Sequence, residues 1–430
     1  MTPRMSLRAP LMTLTLFSLL TACVPDTPEW GPPDISVVDP PISSETVVAL
    51  TAGSHHVCAL SDIGNVTCWG NNDAGQLGYA HTEPVGDNEP AGAYGNVFVG
   101  LKVNSITAGD RHTCALLASG NVRCWGDGDD LQLGRGDAEW VGDDETPVTG
   151  GDANLGDMTF REVAAGYRHT CALNHAGAIM CWGTSEYGAL GNGDVTTIDT
   201  DTPPPVLSMG GAAVSLVTGS KHSCAILDDA SVRCWGRAVG LGTGDDERID
   251  DDELTGTMST VPIAEPVAQL AAGALHTCAL SSVGNIRCWG DASQGVLGYG
   301  DTVSVMDASQ SGLVHLGARA VQIAAGYDHT CALKVDGAVR CWGNGASGSL
   351  GYGSTDSIGD DETPIIMPDV ELAEPATSVV AGHGFTCALL ESGAVSCWGS
   401  GADGRLGNGN EQNIGDDEEP ASIEPISPFG

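Results

Sequence analysis

Cysteine is the residue type in this chain whose number and spacing point most directly to chemistry. Of the 15 cysteines in 430 residues, 14 fall into pairs with nine residues between the two members and Trp-Gly after the second. The pairs are Cys58 with Cys68, Cys114 with Cys124, Cys171 with Cys181, Cys224 with Cys234, Cys278 with Cys288, Cys331 with Cys341, and Cys387 with Cys397. Zinc sites use closer spacing, such as two intervening residues, and a second convergent pair. The pattern therefore favours seven disulfides and an oxidising compartment.

The residues between two paired cysteines predict how the bridge forms. In the first pair the polar segment 61–65 is typical of a turn, so its flanks should form an antiparallel hairpin. A register centred on Ile63 places Cys58 opposite Cys68. Opposed side chains share one face with Cβ atoms about 4.5–5.5 Å apart, which a disulfide can span after a small adjustment. Each bridge should add about 3 kcal/mol of stability in the chain-entropy model.

Histidine precedes the first cysteine by two residues in six of the seven units. The six are His56, His112, His169, His222, His276 and His329. The seventh unit has Phe385 at this position and His383 two residues earlier. A ring of histidines could bind a metal, but the phenylalanine argues against a shared site. We expect each imidazole to bond a turn carbonyl of its own unit, and each Trp after the second cysteine to fill the core on the opposite strand face.

Acidic tripeptides recur about 17 residues after the tryptophan in five units. Their carboxylates are Asp87 and Glu89, then Asp143, Asp144 and Glu145, then Asp251, Asp252 and Glu253, then Asp360, Asp361 and Glu362, and finally Asp416, Asp417 and Glu418. Adjacent carboxylates repel one another unless they are solvated or bridged by a cation, and Ca²⁺ takes oxygen ligands from short loops. We expect solvated loops, with calcium binding as the alternative, and no other cofactor.

Residues that break the repeat are the candidates for binding a partner. Trp140, Tyr187, Arg237 and Arg248 lie in loops between the repeated motifs, and an exposed aromatic side chain can anchor a protein partner. No Gly-x-Ser-x-Gly, His-Glu-x-x-His or Gly-x4-Gly-Lys motif occurs in the chain. The sequence therefore predicts no catalytic residue and a protein that is not an enzyme.

The elements that must hold these residues are short strands, because brief apolar runs alternate with glycine and no helical periodicity is sustained. The whole unit, His-Thr-Cys-Ala-Leu followed by Val-Arg-Cys-Trp-Gly and, later, Leu-Gly, closely resembles the regulator of chromosome condensation repeat. The resemblance covers residues 47–430. It implies an all-β, seven-bladed β-propeller with about four strands per blade. The bridge within each blade departs from the family's usual apolar residues. The sequence leaves open how the ring closes, with residues 420–428 as one candidate for a strand beside the one that starts near Val47.

The N-terminal segment predicts export. Residues 1–22 combine Arg4 and Arg8 with a ten-residue apolar run, which is typical of a signal peptide and too short to span a bilayer. The sequence Leu20-Thr21-Ala22-Cys23 resembles the lipobox of bacterial lipoproteins, so Cys23, the unpaired cysteine, should carry the lipid. Residues 23–46 are proline-rich, which is typical of a tether. The outer membrane or the cell surface is favoured over the inner membrane.

Charge narrows the class of partner. With 17 Lys and Arg against 56 Asp and Glu, the formal net charge is −39, so nucleic acid is excluded as a partner. The exchange-factor activity of the founding family member, a nuclear protein, is rejected because an acidic, lipid-anchored, disulfide-bonded chain can meet neither nucleosomes nor a nuclear GTPase. The sequence predicts a monomeric, lipid-anchored ring that binds an unidentified protein or cell-surface ligand. The alternatives are a Ca²⁺-dependent structural or adhesive protein and a glycan-active enzyme with its site on one face of the ring.

Overall fold

The seven sequence repeats fold into seven small antiparallel sheets. The structure is a computed structural model that describes residues 45–193, 202–244 and 259–430. The first strand of each sheet is β1 (Val47–Ala52), β4 (Val103–Ala108), β7 (Phe160–Ala165), β11 (Ala213–Thr218), β14 (Val267–Ala272), β17 (Ala320–Ala325) or β20 (Ala376–Ala381). The second strand is β2 (His56–Ser61), β5 (His112–Leu117), β8 (His169–Asn174), β12 (His222–Leu227), β15 (His276–Ser281), β18 (His329–Lys334) or β21 (Phe385–Leu390). The third strand is β3 (Val66–Gly70), β6 (Val122–Gly126), β9 (Ile179–Gly183), β13 (Val232–Gly236), β16 (Ile286–Gly290), β19 (Val339–Gly343) or β22 (Val395–Gly399).

Pairing within each sheet follows the register that the turn predicts. Cys58 lies opposite Cys68 and Leu60 opposite Val66, and the equivalent residues pair in the other six sheets. The antiparallel hairpin predicted around Ile63 is therefore present in every repeat.

All seven predicted cysteine pairs form disulfides, each within one blade. The two Cα atoms of a bridge lie 4.0–4.1 Å apart. The bridges join Cys58 to Cys68, Cys114 to Cys124, Cys171 to Cys181, Cys224 to Cys234, Cys278 to Cys288, Cys331 to Cys341, and Cys387 to Cys397. Each bridge links the second strand of a blade to the third.

The fourth strand is shorter than the family resemblance implies. A fourth strand of two residues, β10 (Val206–Leu207), pairs with β9 in the third sheet. Elsewhere a single residue takes its place: the Val97 N–H donates to the Val66 carbonyl, and Ile426 pairs with Val395. Proline lacks the N–H that a strand ladder needs. Pro425 and Pro428 flank Ile426, so this segment cannot extend the ladder.

Short helices occupy the loops of the described residues. They are the single α-helical turn α1 (Pro147–Gly150) and the 3-10 turns Glu186–Gly188, Ala238–Gly240, Ser293–Gly295, Ala308–Gln310, Ala346–Gly348, Pro364–Ile366, Ala402–Gly404 and Pro420–Ser422. None of the described helices is long and apolar enough to cross a membrane.

The seven sheets close into a ring. Each first strand contacts the first strands of the sheets before and after it, and β20 contacts β1. Glycine at the end of the first strand allows this approach: a methyl group on Gly53 would overlap the carbonyl oxygen of Gly109, and the same relation runs around the ring to Gly382 and Gly53. The seven sheets are the blades of a β-propeller.

The last blade is completed by the C-terminal segment. Ile426 exchanges backbone hydrogen bonds with Val395 of β22, at 2.8 and 2.9 Å. The candidate segment 420–428 therefore pairs within blade 7 and not beside the strand that starts near Val47. Each blade is built from one continuous stretch of chain, so no strand is shared between blades in the described residues. Blades 7 and 1 meet through side chains and loops instead.

Candidate functional site

Adjacent blades are joined by a repeated hydrogen-bond cluster that we call the blade clamp. The carbonyl of Gln76 in blade 1 accepts from the indole of Trp125 (3.0 Å) and the hydroxyl of Thr113 (2.9 Å), both in blade 2. The same hydroxyl lies 2.8 Å from Nε2 of His56 in blade 1. Five further interfaces repeat this arrangement, and they are those of His112 with Thr170, His169 with Ser223, His222 with Thr277, His276 with Thr330, and His329 with Thr386.

The clamp sets the protonation state of its histidines. A hydroxyl that donates its proton to the carbonyl can only accept from the imidazole, so Nε2 carries the hydrogen. Burial lowers the pKa of His56, His169 and His276 to about 3 and that of His112, His222 and His329 to about 4. The histidines are structural, as expected, but the predicted partner is wrong. Each bonds a hydroxyl of the next blade, because the carbonyl of its own turn accepts from the N–H of the preceding blade, as Gly109 does from Ser54 at 3.1 Å.

The interface between blades 7 and 1, which we call the seam, lacks this histidine bond. Phe385 replaces the histidine and Val57 replaces the threonine, and both side chains are fully buried in one hydrophobic cluster. The indole of Trp69 still donates to a carbonyl, that of Arg405, at 3.1 Å. Arg405 also donates to Nδ1 of His55 at 2.9 Å. At the seam, two buried apolar side chains and the hydrogen bonds of Arg405 therefore join the blades in place of the histidine bond.

The two ends of the strands form two different faces of the ring. The loop face carries the turns between first and second strands, such as residues 53–55, and the loops that follow third strands. The hairpin face carries the turns between second and third strands, such as residues 61–65. The predicted partner-binding residues Trp140, Tyr187 and Arg237 all lie in loops of the loop face.

Each of these aromatic residues is paired with a cation. Arg111 lies over the Trp140 ring, 5.5 Å from its centroid, and the indole donates to Asp129 at 2.9 Å. Lys221 and Arg237 both lie over Tyr187, at 4.4 and 5.3 Å. The structure therefore brings Tyr187 and Arg237 together and places Trp140 in a separate cluster one blade away. Arg248 lies outside the described residues.

A central opening on the loop face was not predicted. Seven turns surround it, and the residues after their glycines are Ser54, Asp110, Tyr167, Ser220, Ala274, Tyr327 and His383. The space, including the part that is open to solvent, has a volume of about 420 Å³. Tyr327 stacks on His383 with ring centroids 4.3 Å apart. The sequence does carry the signal: this position holds a different residue type in most repeats, whereas the neighbouring glycine never changes.

Asp110 is the buried acid at this opening. Only 7% of the residue is exposed. The Ser54 and Tyr167 hydroxyls hydrogen-bond to its carboxylate. Burial raises the pKa of Asp110 above its ordinary value. Arg168 lies 5.7 Å from the Tyr167 ring centroid and forms an ion pair with Asp130 at 3.2 Å.

The acidic tripeptides also lie on the loop face. In three of them the carboxylates converge to within 4.8 Å, namely Asp143, Asp144 and Glu145, then Asp360, Asp361 and Glu362, then Asp416, Asp417 and Glu418. Burial and the neighbouring carboxylates raise the pKa of Glu145 to about 7. Asp87 and Glu89 form no such group in the described residues, because Asn88 stands between them. Asp251, Asp252 and Glu253 lie outside the described residues, as does Cys23.

Comparison with known protein families places most of the chain in one group. Residues 25–304 match the family model described as RCC1-like domain. Residues 320–349 and 376–405 match the regulator of chromosome condensation (RCC1) repeat, and a second model of that repeat matches residues 336–389.

Individual relatives are similar over different lengths. The ultraviolet-B receptor UVR8 of Arabidopsis thaliana is 30% identical over 397 residues, which are 89% of this chain and 83% of the receptor. The human E3 ubiquitin-protein ligase HERC2 is 30% identical over 260 residues, 59% of this chain but 5% of the ligase. The ligase is thus matched over a small part of its length.

Solved structures share the fold. Yeast RCC1 (Prp20), in its complex with Kap60, superposes with a TM-score of 0.63 at 20% identity, covering 78% of each chain. Human WBSCR16 gives 0.64 at 19% identity, covering 79% of this chain and 85% of its own. A second structure of Prp20p from Saccharomyces cerevisiae, a protein that binds Gsp1p and histones, gives a TM-score of 0.61 at 20% identity. It covers 78% of this chain and 80% of its own.

Proposed function

The chain belongs to the family of RCC1-like proteins, and on that premise we propose that it is an exported, lipid-anchored propeller that binds a protein partner through its loop face. Within that family the fold serves as a scaffold on which loops differ, so the unrepeated loop residues decide what is bound. Those residues, rather than any activity of a relative, determine the partner of this chain.

The observation that carries the proposal is the set of cation–aromatic pairs on the loop face. Arg111 with Trp140, Arg168 with Tyr167, and Lys221 with Tyr187 lie on blades 2 to 4, although the chain has only 17 Lys and Arg in all. The closure of the ring does not need these residues. Arginine and aromatic side chains are enriched at protein interfaces and among the residues that dominate binding energy.

Capture of a partner with matched variants tests the proposal. The mature propeller is used as bait on native envelope extract, beside Trp140→Ala, Tyr187→Ala and, as the control, Phe98→Ala. Phe98 is an aromatic with 62% exposure next to Val97, which pairs at the hairpin-face end of blade 1. We expect a partner that the parent and Phe98→Ala retain and that one or both loop-face variants lose. Equal capture by all four proteins would contradict the proposal.

Export and lipid attachment rest on the N-terminal sequence. Residues 1–22 supply the signal, Cys23 the acylated residue, and residues 23–46 the tether to the ring. Two or more acyl chains hold a protein on a membrane stably, whereas one chain is marginal. We expect Cys23→Ser to leave an unprocessed or soluble protein on membrane fractionation. Unchanged fractionation with the envelope would contradict the lipid anchor.

A binding function is favoured over glycan hydrolysis. Glycoside hydrolases need two carboxyl groups on opposite sides of the scissile bond, about 5 to 9.5 Å apart. Among the described residues that surround the central opening, Asp110 is the single carboxylic acid. The central opening therefore does not offer the carboxyl pair that glycoside hydrolysis needs.

A further inference from the structure

The central opening combines aromatic rings with one buried acid. Tyr167 and Tyr327 stand at the opening with His383, and Tyr327 remains 41% exposed. The other turn positions carry the small residues Ser54, Ser220 and Ala274, so no large side chain from them fills the space. The wall therefore combines aromatic rings with small and polar groups, and Asp110 is the carboxylate among them.

The charge of Asp110 has no ion-pair partner among the described residues. The nearest arginines are directed to other carboxylates: Arg111 to Asp73 at 3.1 Å and Asp127 at 3.3 Å, and Arg168 to Asp130 at 3.2 Å. The Ser54 and Tyr167 hydroxyls hydrogen-bond to Asp110, while the charges of Arg111 and Arg168 act on it without forming an ion pair. A carboxylate has about four acceptor positions, so two hydroxyl donors leave capacity for another donor.

We propose that the central opening binds an alkylammonium group, whose charge pairs with the Asp110 carboxylate and whose methylene groups contact Tyr167 and Tyr327. An ammonium group is attracted to the face of an aromatic ring, most strongly where water is excluded. Arg168 lies 5.7 Å from the Tyr167 ring centroid but pairs with Asp130, so Tyr327, which is 41% exposed, offers the ring that is open to a ligand. The formal net charge of −39 also raises the local concentration of cations.

An anion or a neutral ligand fits the opening less well. An anion would lie against the buried Asp110 carboxylate, and like charges repel strongly away from water. A neutral alcohol has no charge that could pair with Asp110. The alkylammonium group can belong to a free amine or to a lysine side chain of a bound protein. The second source would make the opening part of the partner-binding face proposed above, but binding of the free amine does not depend on that proposal.

Titration calorimetry with small probes tests the inference on the mature propeller. The probes are n-butylammonium, Nα-acetyl-lysine amide, n-butanol as the neutral analogue and butyrate as the anion. We expect millimolar affinity for n-butylammonium and at least tenfold weaker binding of n-butanol and butyrate. Binding of acetyl-lysine amide together with n-butylammonium would assign the site to lysine side chains. Binding of the free amine alone would assign it to small amines.

Three variants locate the site. Asp110→Asn removes the charge and should weaken n-butylammonium binding at least tenfold. Tyr327→Leu removes an aromatic wall and keeps Asp110, so it should weaken binding about three- to tenfold and also serves if Asp110→Asn does not fold. Asp336→Asn removes an exposed carboxylate from the hairpin face and should leave the affinity unchanged. The inference would be overturned if n-butanol bound as tightly as n-butylammonium. It would also be overturned if Asp110→Asn and Tyr327→Leu both left the affinity for n-butylammonium unchanged.

Discussion

At the scale of single residues, the blade clamp explains why the repeat contains a buried histidine. Its imidazole donates to a hydroxyl, the hydroxyl donates to a carbonyl, and an indole donates to the same carbonyl, so the buried donors and the carbonyl oxygen are satisfied across each interface. Burying polar groups without partners costs about 1–3 kcal/mol each. The histidine and the hydroxyl should therefore be exchangeable only together.

The seam allows a direct test of this coupling. Phe385→His alone would bury an imidazole opposite Val57, which has no hydroxyl, and should destabilise the protein by about 1–3 kcal/mol. Adding Val57→Thr supplies the hydroxyl and should recover most of the loss. Urea unfolding of both single variants and the double variant gives the coupling energy. Additive effects would show that the seam does not accept a clamp.

The clamp also predicts a pH dependence of stability. A histidine whose pKa is lowered in the folded protein stays neutral while the unfolded chain binds a proton. Its contribution is therefore complete above about pH 6.5 and is lost as the pH falls. Burial lowers the pKa of His112 to about 4. The loss should be about 1.4 kcal/mol per pH unit between pH 6 and pH 4.5 for each such histidine.

The double variant His112→Phe, Thr170→Val isolates this effect, because it copies the residues of the seam and leaves all carboxylates in place. We expect the difference in unfolding free energy between the variant and the parent to shift in favour of the variant by about 1.4 kcal/mol for each pH unit of acidification below 6. A pH-independent difference from pH 7 to pH 4.5 would show that His112 titrates normally.

The sequence predicts the role of these histidines better than their partners. Their burial beside the disulfide follows from a two-residue spacing along a strand, which puts both side chains on one face. Thr113, the hydroxyl partner of His56, lies 57 residues further along the chain. A local sequence pattern carries no information on which blade is the neighbour. The sequence does offer one signal for the pairing. Phe385 replaces the histidine and Val57 replaces the threonine, and both departures from the repeat meet at one interface.

At the scale of elements, the disulfides hold hairpins that the strand ladder already forms. In each blade five residue pairs align the second and third strands, and the bridge joins the central pair. Replacing both Cys278 and Cys288 by alanine should cost at most about 3 kcal/mol, the chain-entropy value for an eleven-residue ring, and leave the sheets intact. Circular dichroism and urea unfolding measure both quantities. Loss of the strand signal in this one double variant would show that the ladder depends on the bridge.

The acidic loops pack through their backbone rather than through their carboxylates. Gly142 and Asp143 lie against Gly75 of the preceding blade, and Gly359 lies against Gly295 in the same way. The carboxylates of each tripeptide supply three groups, whereas Ca²⁺ takes six to eight oxygen ligands. We expect solvated loops, and a melting temperature that moves by less than about 2 °C between millimolar Ca²⁺ and chelator. A rise of several degrees that Asp360→Asn removes would support calcium binding instead.

At the scale of the whole molecule, the number of blades and their disulfides could be predicted from seven copies of one motif. The central opening could not, because its walls come from seven turns that are distant in the chain and differ in residue type. The sequence leaves the closure of the ring open for a related reason: Ile426 is one apolar residue among prolines, and its pairing with Val395 follows from the geometry of the last blade. Repetition predicts the scaffold, whereas the departures from repetition determine the candidate binding surface.

The loop face, rather than the hairpin face, is where we propose that the partner binds. Hydrogen exchange of the mature propeller with and without its captured partner distinguishes the two faces, because they consist of different backbone turns. We expect slower exchange at residues 109–112, 166–169 and 137–146 when the partner is bound, with no change at the hairpin turns 61–65 and 281–285. Protection confined to the hairpin turns would contradict binding through the loop face.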